Sequence, residues 1–398
     1  MSASFYDLLK FAKTGIASPE MTHYDKLKAL AMCKAGFPVK TLTGVPPISF
    51  QSDGTPLTAW SISGAMTQSS VPTPSAPITP EETGDKTAQL WDEITHAGYI
   101  TSDGSTFRTN GGTCAIIPCK PNTTYSVNIA SVKNYNRLYI STCDAMPENY
   151  SSVTTLKSGA GGLTAFTVTT GADAAYLIVY LYSSLGADIS GLMVSEGSTA
   201  LPYEPFGYKL PLTLAGQTQT VYLSEPLRKI GDYADKIEAS GTTGTRRIVC
   251  HVFDGTETGL YKNDNSAPTN YMYYLNVAVS PWKQAPANSS VFCTHLKLVG
   301  NAYSSVGITG TSNGRVFYMN FGVDIMNAQT SGNTVEGLKE YLAAQYAAGH
   351  PVTVWYVLAT PTTETVTVPT LTPAKGSNTL TVGTTLQPSE VSITGGIK

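Results

Sequence analysis

Apolar residues follow two different patterns along this chain: a helical period near the N-terminus and short runs of strand length farther on. From residue 4 to about 36 they return every three or four positions, which is the period of one face of a helix. Pro19 interrupts this pattern, and Gly36 and Pro38 end it, because both residue types stop helices. Residues 1–44 are therefore predicted to form an N-terminal helical segment, and the rest of the chain is predicted to be mainly β.

Residues 86–206 contain short apolar runs of strand length that are separated by turn-forming residues. Asn110-Gly111-Gly112 is one of these turn signals. Strands repeated at such short intervals are typical of a β-sandwich or a jelly roll. We therefore predict one domain of this kind over 86–206.

Residues 246–366 repeat the β pattern and predict a second β-sandwich domain, which one helix over 334–348 interrupts. Thr334 can cap this helix, and Gly349 and Pro351 stop it. The apolar face of the helix is expected to contain four residues at helical spacing: Val335, Leu338, Leu342 and Tyr346.

Three further segments connect or extend these domains. Residues 45–85 combine short strand-like pieces with a proline-rich stretch, 71–83, that favours an extended connector. Residues 207–245 are predicted to be a connector with β content of its own. Residues 367–398 are rich in Thr and nearly uncharged, so we expect an extended β tail that pairs with another strand.

The composition narrows the possible functions. Of the 398 residues only 13% are charged, the formal net charge is −3, and 23 residues are tyrosine. A chain without a basic stripe does not suit electrostatic binding of nucleic acid. No apolar run is long enough to cross a bilayer, and the N-terminus lacks the pattern of a signal peptide. We therefore expect synthesis in a cytoplasm, without membrane insertion.

Six scattered cysteines are expected to be free thiols, because the chain is long and shows no secretion signal. Cys250-His251 and Cys293-Thr294-His295 lie on predicted strands of one domain and offer candidate zinc ligands. Cys293 and His295 would share one face of their strand. A Cys-x-x-Cys pair and a fourth ligand are missing from the sequence. Buried thiols and hydrogen-bonded histidines are the alternative, and we predict no metal site and no cofactor.

The chain has no phosphate-binding glycine loop and no His-Glu-x-x-His helix. Glycoside hydrolysis needs two carboxylates about 5–10 Å apart. The acidic pairs of the chain are close in sequence only, and such residues usually form turns. They are Asp92 with Glu93, Asp254 with Glu257, and Glu81 with Glu82. We predict no catalytic residue and no enzymatic activity, with a glycan depolymerase as the less favoured alternative.

Sugar binding has a better basis in the tyrosines of residues 86–206. Exposed aromatic rings stack on sugar rings, and Asn and Asp side chains complete the hydrogen bonds. The candidate ligand-binding residues are Tyr99, Asn134, Tyr135, Asn136, Arg137 and Tyr139. Tyr180 and Tyr182 belong to the most apolar strand pattern and share one face of it. The alternative is that all these aromatic side chains belong to the core or to interfaces.

Several phrases of the sequence resemble ones found in tail-fibre and tail-tip proteins of bacteriophages and prophages of Gram-positive bacteria. They are Gly64–Gly84, Leu90-Trp91-Asp92 with Gly98-Tyr99-Ile100, PCKPNTTY at 118–125, MVSEGSTALPYEPFGY at 193–208, LSEPLRKIGDYAD at 223–235 and YVLATP at 356–361. Together the phrases touch most of residues 60–366. Those within 86–206 resemble parts of a jelly-roll domain similar to carbohydrate-binding modules.

The resemblance implies a structural protein of the virion, located in the phage tail and made in the host cytoplasm, that recognises a glycan of the host surface. The alternative is a purely architectural collar, baseplate or fibre adaptor without receptor binding. The resemblance also implies a homo-oligomer, most simply a trimer, and the uncharged C-terminal tail agrees with it. The helical segment 1–44 either packs on its own domain or, as we expect, attaches the chain to other tail proteins.

Overall fold

The computed structural model describes residues 48–52, 54–57, 60–130, 132, 135–160, 164–182, 188–238, 243–263, 270–276, 291–300, 305–310, 315–382 and 390–393. The helical segment predicted over 1–44 lies outside these residues. The part that is described is mainly β, as predicted from the sequence. No helix in it is long and apolar enough to cross a membrane.

Strands and helices follow one another in a simple order along the described residues. The strands are β1 (Ile48–Ser52), β2 (Trp60–Ser63), β3 (Met66–Thr67), β4 (Glu81–Glu82), β5 (Asp85–Lys86), β6 (His96–Ile100), β7 (Phe107–Pro118), β8 (Thr124–Asn128), β9 (Arg137–Cys143), β10 (Thr154–Ala160), β11 (Ala165–Thr169), β12 (Tyr176–Tyr182), β13 (Met193–Glu196), β14 (Tyr208–Leu214), β15 (Gln217–Leu223), β16 (Lys229–Ile230), β17 (Tyr233–Ala234), β18 (Lys236–Glu238), β19 (Thr243–Val252), β20 (Leu260–Asn263), β21 (Asn270–Asn276), β22 (Val291–Cys293), β23 (Gly307–Gly310), β24 (Arg315–Gly322), β25 (Thr353–Thr365), β26 (Gly376–Val382) and β27 (Val391–Ile393). The helices are α1 (Val323–Asn327) and α2 (Val335–Ala347).

The chain divides into two compact units that are not consecutive in sequence. One, called here the inserted unit, consists of residues 85–209 and 222–225. The other, called the main unit, takes its described residues from 1–84, 210–221 and 226–398. The inserted unit therefore interrupts the sequence of the main unit.

The inserted unit contains two antiparallel sheets that bury a common core. A five-stranded sheet has the order β10–β9–β12–β7–β6, and a three-stranded sheet has the order β11–β8–β13. One hydrophobic cluster takes Ile140 and Val179 from the first sheet and Val127, Phe166 and Val194 from the second. Side chains alternate between the two faces of a strand, so each sheet also has a face turned away from this shared core.

Strand β12 is apolar on both of its faces. Leu177, Val179 and Leu181 enter the shared core. Ile178 and Tyr180 belong to a separate cluster on the opposite face of the five-stranded sheet. A strand that is apolar on both faces is typical of a central position in a sheet, and β12 indeed pairs with β9 on one side and β7 on the other.

The entry and exit of the inserted unit are paired with each other. In the antiparallel pairing of β5 with β14, Lys86 lies opposite Tyr208 and Asp85 lies opposite Lys209. The backbone N–H of Thr87 also donates to the carbonyl of Gly207 at 2.9 Å. The two ends of residues 85–209 therefore leave this unit side by side.

The main unit contains a six-stranded sheet, β22–β25–β19–β18–β2–β27, and a four-stranded sheet, β20–β21–β24–β23. Its largest hydrophobic cluster combines Val354 and Cys293 of the first sheet with Tyr273 and Phe317 of the second. Helix α2 contributes Leu338 and other apolar residues to the same cluster. Helix α1 contributes Met326, so the core of the main unit is closed by two sheets and two helices.

The helix predicted over 334–348 is present as α2. The Thr334 hydroxyl accepts a hydrogen bond from the N–H of Gly337 at 3.0 Å, which is the predicted N-cap. Leu338 and Leu342 are fully buried, as their spacing predicts. Tyr346 was expected on the same face but is 54% exposed, because the last turn of the helix extends past the core.

The C-terminal tail finds partner strands within its own chain. Strand β26 pairs with β1 and with β14, and β27 pairs with β2. The expectation that residues 367–398 pair with another strand is met for these described strands. Since their partners are intramolecular, the tail gives no support to a homo-oligomer.

The proline-rich stretch 71–83 does not run as a simple extended connector. Strand β3 pairs with β4, so the stretch between them returns to its starting point. Thr73 and Ala76 exchange backbone hydrogen bonds of 3.1 Å, and Thr83 pairs with Leu227. The prolines therefore lie in a loop closed at its base by strand pairing.

A fully buried acidic side chain joins separate segments of the main unit. The carboxylate of Asp235 accepts hydrogen bonds from the N–H groups of Arg247 at 2.6 Å, Ile248 at 3.1 Å and Arg228 at 3.1 Å. The guanidinium of Arg246 lies 3.6 Å from the same carboxylate. Burial raises the pKa of Asp235, and the N–H donors together with Arg246 oppose that effect.

Two arginines extend this network to other strands. Arg246 donates to the carboxylate of Glu364 on β25 at 2.6 Å. Arg228, which is 5% exposed, is bonded to Glu82 on β4. Glu82 also accepts from the indole N–H of Trp355 at 2.8 Å. Both largely buried guanidinium groups of the main unit therefore have carboxylate partners.

We predict that Asp235→Asn destabilises the main unit by about 2–5 kcal/mol, because an amide NH2 group would face buried N–H donors and Arg246 would lose one of its two carboxylate partners. Denaturant unfolding of the intact chain measures the effect. Asp232→Asn is the matched control, since Asp232 is exposed three residues away, and a change within about 0.5 kcal/mol is expected there. Equal effects of the two substitutions would show that the buried network contributes nothing.

Candidate functional site

The inserted unit has a second hydrophobic cluster on the face of its five-stranded sheet that is turned away from the shared core. Its buried members are Ile100, Phe107, Cys114, Ile116, Tyr139, Cys143, Val153, Ile178 and Tyr180. Tyr99 and Tyr176 pack against it and are partly exposed. We call Tyr99, Tyr139, Tyr180 and Tyr182 the tyrosine face.

The rings of the tyrosine face are close neighbours. Tyr180 of β12 is paired with Tyr139 of β9, and their ring centroids are 6.1 Å apart with an interplanar angle of 21°. The Tyr99 ring lies 6.3 Å from Tyr180 at an angle of 52°. Tyr182, two residues beyond Tyr180, lies opposite Arg137 and is 45% exposed. Side chains distant in sequence thus form one aromatic surface.

The hydroxyl groups of this surface are open to a partner. Tyr139 and Tyr180 are only 9% and 6% exposed. Neither side chain makes a hydrogen bond within the part of the chain that the structure describes. Neither hydroxyl oxygen is enclosed by the protein. Both hydroxyls therefore reach solvent. Burial raises the pKa of Tyr180, and the neighbouring Tyr182 and Tyr139 hydroxyls add to this effect, so the group stays protonated and can donate.

The structure brings together some of the residues predicted from sequence. Tyr99 and Tyr139 belong to the tyrosine face, and Asn136 and Arg137 are exposed beside it, at the start of β9. The backbone N–H of Asn136 donates to the carbonyl of Tyr182 at 2.6 Å. Asn136, Arg137 and Tyr182 therefore lie together where β9 begins and β12 ends.

Two other predicted residues do not join them. Tyr135 packs against the shared core, which is the opposite face of the sheet from Tyr139. Asn134 lies outside the described residues. Tyr180 and Tyr182 were not selected from sequence. Their spacing of two residues places them on one face of an apolar strand, and that face could belong to the core. The structure divides them, since Tyr180 is buried and Tyr182 is exposed.

A bulge in β7 lies beside the tyrosine face. Sequence reasoning placed a turn at Asn110-Gly111-Gly112, but β7 runs through these residues, and the register against β6 shifts there. Gly112 has φ +73°, and a Cβ at this position would lie 2.7 Å from the Gly98 carbonyl and 3.0 Å from the Tyr180 ring. Only glycine fits where β7 passes this closely.

A pocket of about 230 Å³ lies elsewhere in the inserted unit. Its lining includes Trp91, Glu93, Asp188 and Tyr203, and no basic residue. Glu93 accepts hydrogen bonds from the Tyr203 hydroxyl at 2.9 Å and from the Phe206 N–H at 3.1 Å. Burial, with the hydrogen bond to Glu93, raises the pKa of Tyr203 to about 12. Glu93 therefore serves to hold the segment that leaves the unit.

The remaining carboxylates named from sequence make structural contacts as well. Asp92 accepts from the N–H of Ile94 at 3.0 Å. Glu257 accepts from the N–H groups of Asp254 at 2.8 Å and Gly255 at 3.1 Å, which closes a turn. Hydrogen bonds from Thr256 lower the pKa of Asp254. Each carboxylate stabilises the backbone beside it.

The candidate zinc ligands are divided between two faces of one sheet. On β25, Trp355 lies opposite Cys250 and Val354 lies opposite Cys293. Because Val354 and Trp355 are consecutive, the two cysteines point to opposite faces. His295 is fully buried, and burial lowers its pKa. No group of three His, Cys, Asp or Glu residues is placed to hold a metal ion among the residues described.

The buried thiols generate a prediction about alkaline pH. Burial raises the pKa of Cys114 and of Cys293 to about 12, because the thiolate cannot be solvated in the core. Stability from such groups is complete below the unfolded pKa near 9 and is lost as pH rises towards 12. We expect each thiol to cost about 1–2 kcal/mol of stability by pH 10.

Unfolding free energies measured at pH 8 and pH 10 test this expectation. Cys114→Ala removes one of the two thiols, so the pH-dependent loss should be smaller in this variant than in the unchanged protein. For each protein, the unfolding free energy at pH 10 is subtracted from that at pH 8. The cavity that alanine leaves affects both free energies and cancels, so the difference reports the titration. Identical losses in the variant and the unchanged protein would show that Cys114 does not titrate on unfolding.

Comparison with known proteins adds no relative to this picture. No protein-family model, no curated protein and no solved structure matches the chain.

Proposed function

We propose that this chain is a structural protein of a bacteriophage tail that recognises a glycan of the host surface through the tyrosine face of its inserted unit. We further propose that the inserted unit is a β-sandwich of the jelly-roll type. The observation that carries the binding role is the group of neighbouring tyrosine rings whose hydroxyl groups have no protein partner among the described residues.

Tyrosine suits the chemistry of a sugar. The C–H groups on one face of a pyranose ring pack on an aromatic ring, while its hydroxyl groups need hydrogen-bond partners nearby. Tyr182 offers the most exposed ring, and Tyr139 and Tyr180 offer hydroxyl groups at the same surface. Asn136 and Arg137 add hydrogen-bond donors where β9 begins.

The architecture is compatible with this proposal. Two sheets bury one core, and the outer face of the larger sheet is left to carry aromatic side chains. Sheets packed in this way occur in jelly rolls. The virion setting is supported by the resemblance of phrases such as 193–208 and 223–235 to phage tail proteins. A trimeric assembly and attachment through residues 1–44 are part of the same proposal.

We propose binding without hydrolysis. A depolymerase of the usual kind would place two carboxylates about 5–10 Å apart around the sugar. The outward positions of β9 that follow Arg137 are Tyr139, Ser141 and Cys143, and those of β12 are tyrosine and isoleucine. The sheet around the tyrosine face therefore presents aromatic and neutral side chains at these positions.

Glycan binding by the intact protein, measured on a glycan array and on isolated host cell walls, tests the proposal. Tyr182→Ala should lower affinity about fivefold, because it removes an exposed stacking ring worth ~1 kcal/mol. Tyr346→Ala is the control, since Tyr346 is 54% exposed on α2 of the main unit and should not contribute. Absence of binding to any glycan or wall would overturn the receptor role.

The location of the chain in a whole particle tests the virion assignment separately. A receptor-binding protein must leave the tyrosine face accessible on the outside of the tail. If electron microscopy of the particle shows this face covered by other virion chains, the architectural alternative replaces the receptor role. Absence of the chain from purified particles would refute both.

A further inference from the structure

Two arginines beside the tyrosine face have no anionic partner among the residues that the structure describes. Arg108 of β7 lies opposite Tyr99, and Arg137 of β9 lies opposite Tyr182. Neither guanidinium forms an ion pair or a side-chain hydrogen bond with any residue that the structure describes. Each is therefore free to bind a group from outside the chain.

Of the two arginines, Arg108 provides the stronger evidence for an external ligand. Its Nε atom is buried without a hydrogen-bond acceptor. The guanidinium carbon stacks 3.8 Å from the centroid of the Tyr150 ring, which holds the plane of the group but supplies no acceptor. A buried donor left unpaired costs about 1–3 kcal/mol, and more when the group is charged. A buried donor of this kind needs a hydrogen-bond acceptor, which the described residues do not supply.

The main unit shows how the same chain treats arginines that have only a structural role. Arg228 is 5% exposed and the Arg246 side chain is 12% exposed, and each is bonded to a carboxylate, Glu82 and Glu364 respectively. Arg108 is the exception to this pattern at the surface where a ligand is proposed to bind. The contrast favours a binding role over a structural one.

We propose that the ligand of the tyrosine face is an anionic glycan, in which a phosphate or carboxylate group binds Arg108 and a sugar ring packs on the neighbouring tyrosines. This inference rests on the proposed glycan-binding function and adds the charge of the ligand to it. The planar guanidinium presents its N–H groups as a fork that matches the oxygens of a phosphate or carboxylate. Arg137 of β9 lies opposite Tyr182 of β12 and provides a second positive charge.

The surroundings of the two arginines strengthen an interaction with an anion. Arg137 is exposed, whereas the Nε atom of Arg108 is enclosed near a buried apolar cluster, and a charge pair is stronger where the local dielectric is low. The outward residues that pair across β9 and β12 are Arg137 with Tyr182, Tyr139 with Tyr180, Ser141 with Ile178, and Cys143 with Tyr176. None of these residues is acidic, so the strands themselves do not repel an anion.

An array of glycans that carry phosphate, uronic carboxylate or no charge tests the inference with the full chain. The strongest binders should be charged, and the two charged classes identify which anion is preferred. Arg108→Gln should weaken binding of charged glycans at least tenfold and leave neutral ones unchanged. Arg108→Lys should retain part of the affinity because it keeps the charge. Lys120→Gln, which removes a 70% exposed cation in the same unit, should have no effect.

Two results would overturn the inference while leaving glycan binding intact. The first is equal affinity for charged and neutral glycans, and the second is unchanged binding of charged glycans by Arg108→Gln. If no glycan binds, the proposed function fails, and modification of Arg108 by phenylglyoxal in the presence of inorganic phosphate then decides the anion site. Protection at Arg108, with Arg247 as the internal control, supports the site; equal modification with and without phosphate refutes it.

Discussion

The buried carboxylate of Asp235 is the contact that holds the main unit in one arrangement. It binds backbone N–H groups from two separate segments, and Arg246 and Arg228 extend its network to Glu364 and Glu82. Glu82 precedes residues 85–209 in the sequence, whereas Asp235, the two arginines and Glu364 follow them. Hydrophobic packing alone is not directional. Buried ionic hydrogen bonds accept only one geometry, so they fix how the segments of the interrupted unit meet.

Local features of the fold could be predicted from sequence because their causes are local. Helix α2 begins and ends where Thr334 and Gly349 predict, since capping involves neighbours within four residues. The mainly β character followed from the alternation of apolar and polar positions. The interruption of the main unit could not be predicted in this way, because the pairing of β1 with β26 joins residues more than three hundred positions apart.

The candidate site shows the same limit at the scale of single residues. Tyr99 and Tyr139 were selected from sequence and do lie together, but what joins them is Tyr180, which was not among the selected residues. Arg108 was not selected at all. The role proposed for Arg108 rests on a buried Nε atom without an acceptor among the described residues, and such an atom can be recognised only when the surrounding strands are in place. The bulge at Gly112, which sets the register of β7 beside these rings, likewise depends on a close approach between strands.

The pairing of Asp85 and Lys86 with Lys209 and Tyr208 has an evolutionary consequence. A segment whose two ends lie side by side closes its own loop, and the cost of that closure grows only slowly with the length of chain inside it. Recombination at these two positions can therefore replace everything between them with a longer or shorter cassette while the flanking strands keep their partners. A lineage that carries this arrangement can exchange residues 85–209 as one genetic unit and keep the rest of the protein unchanged.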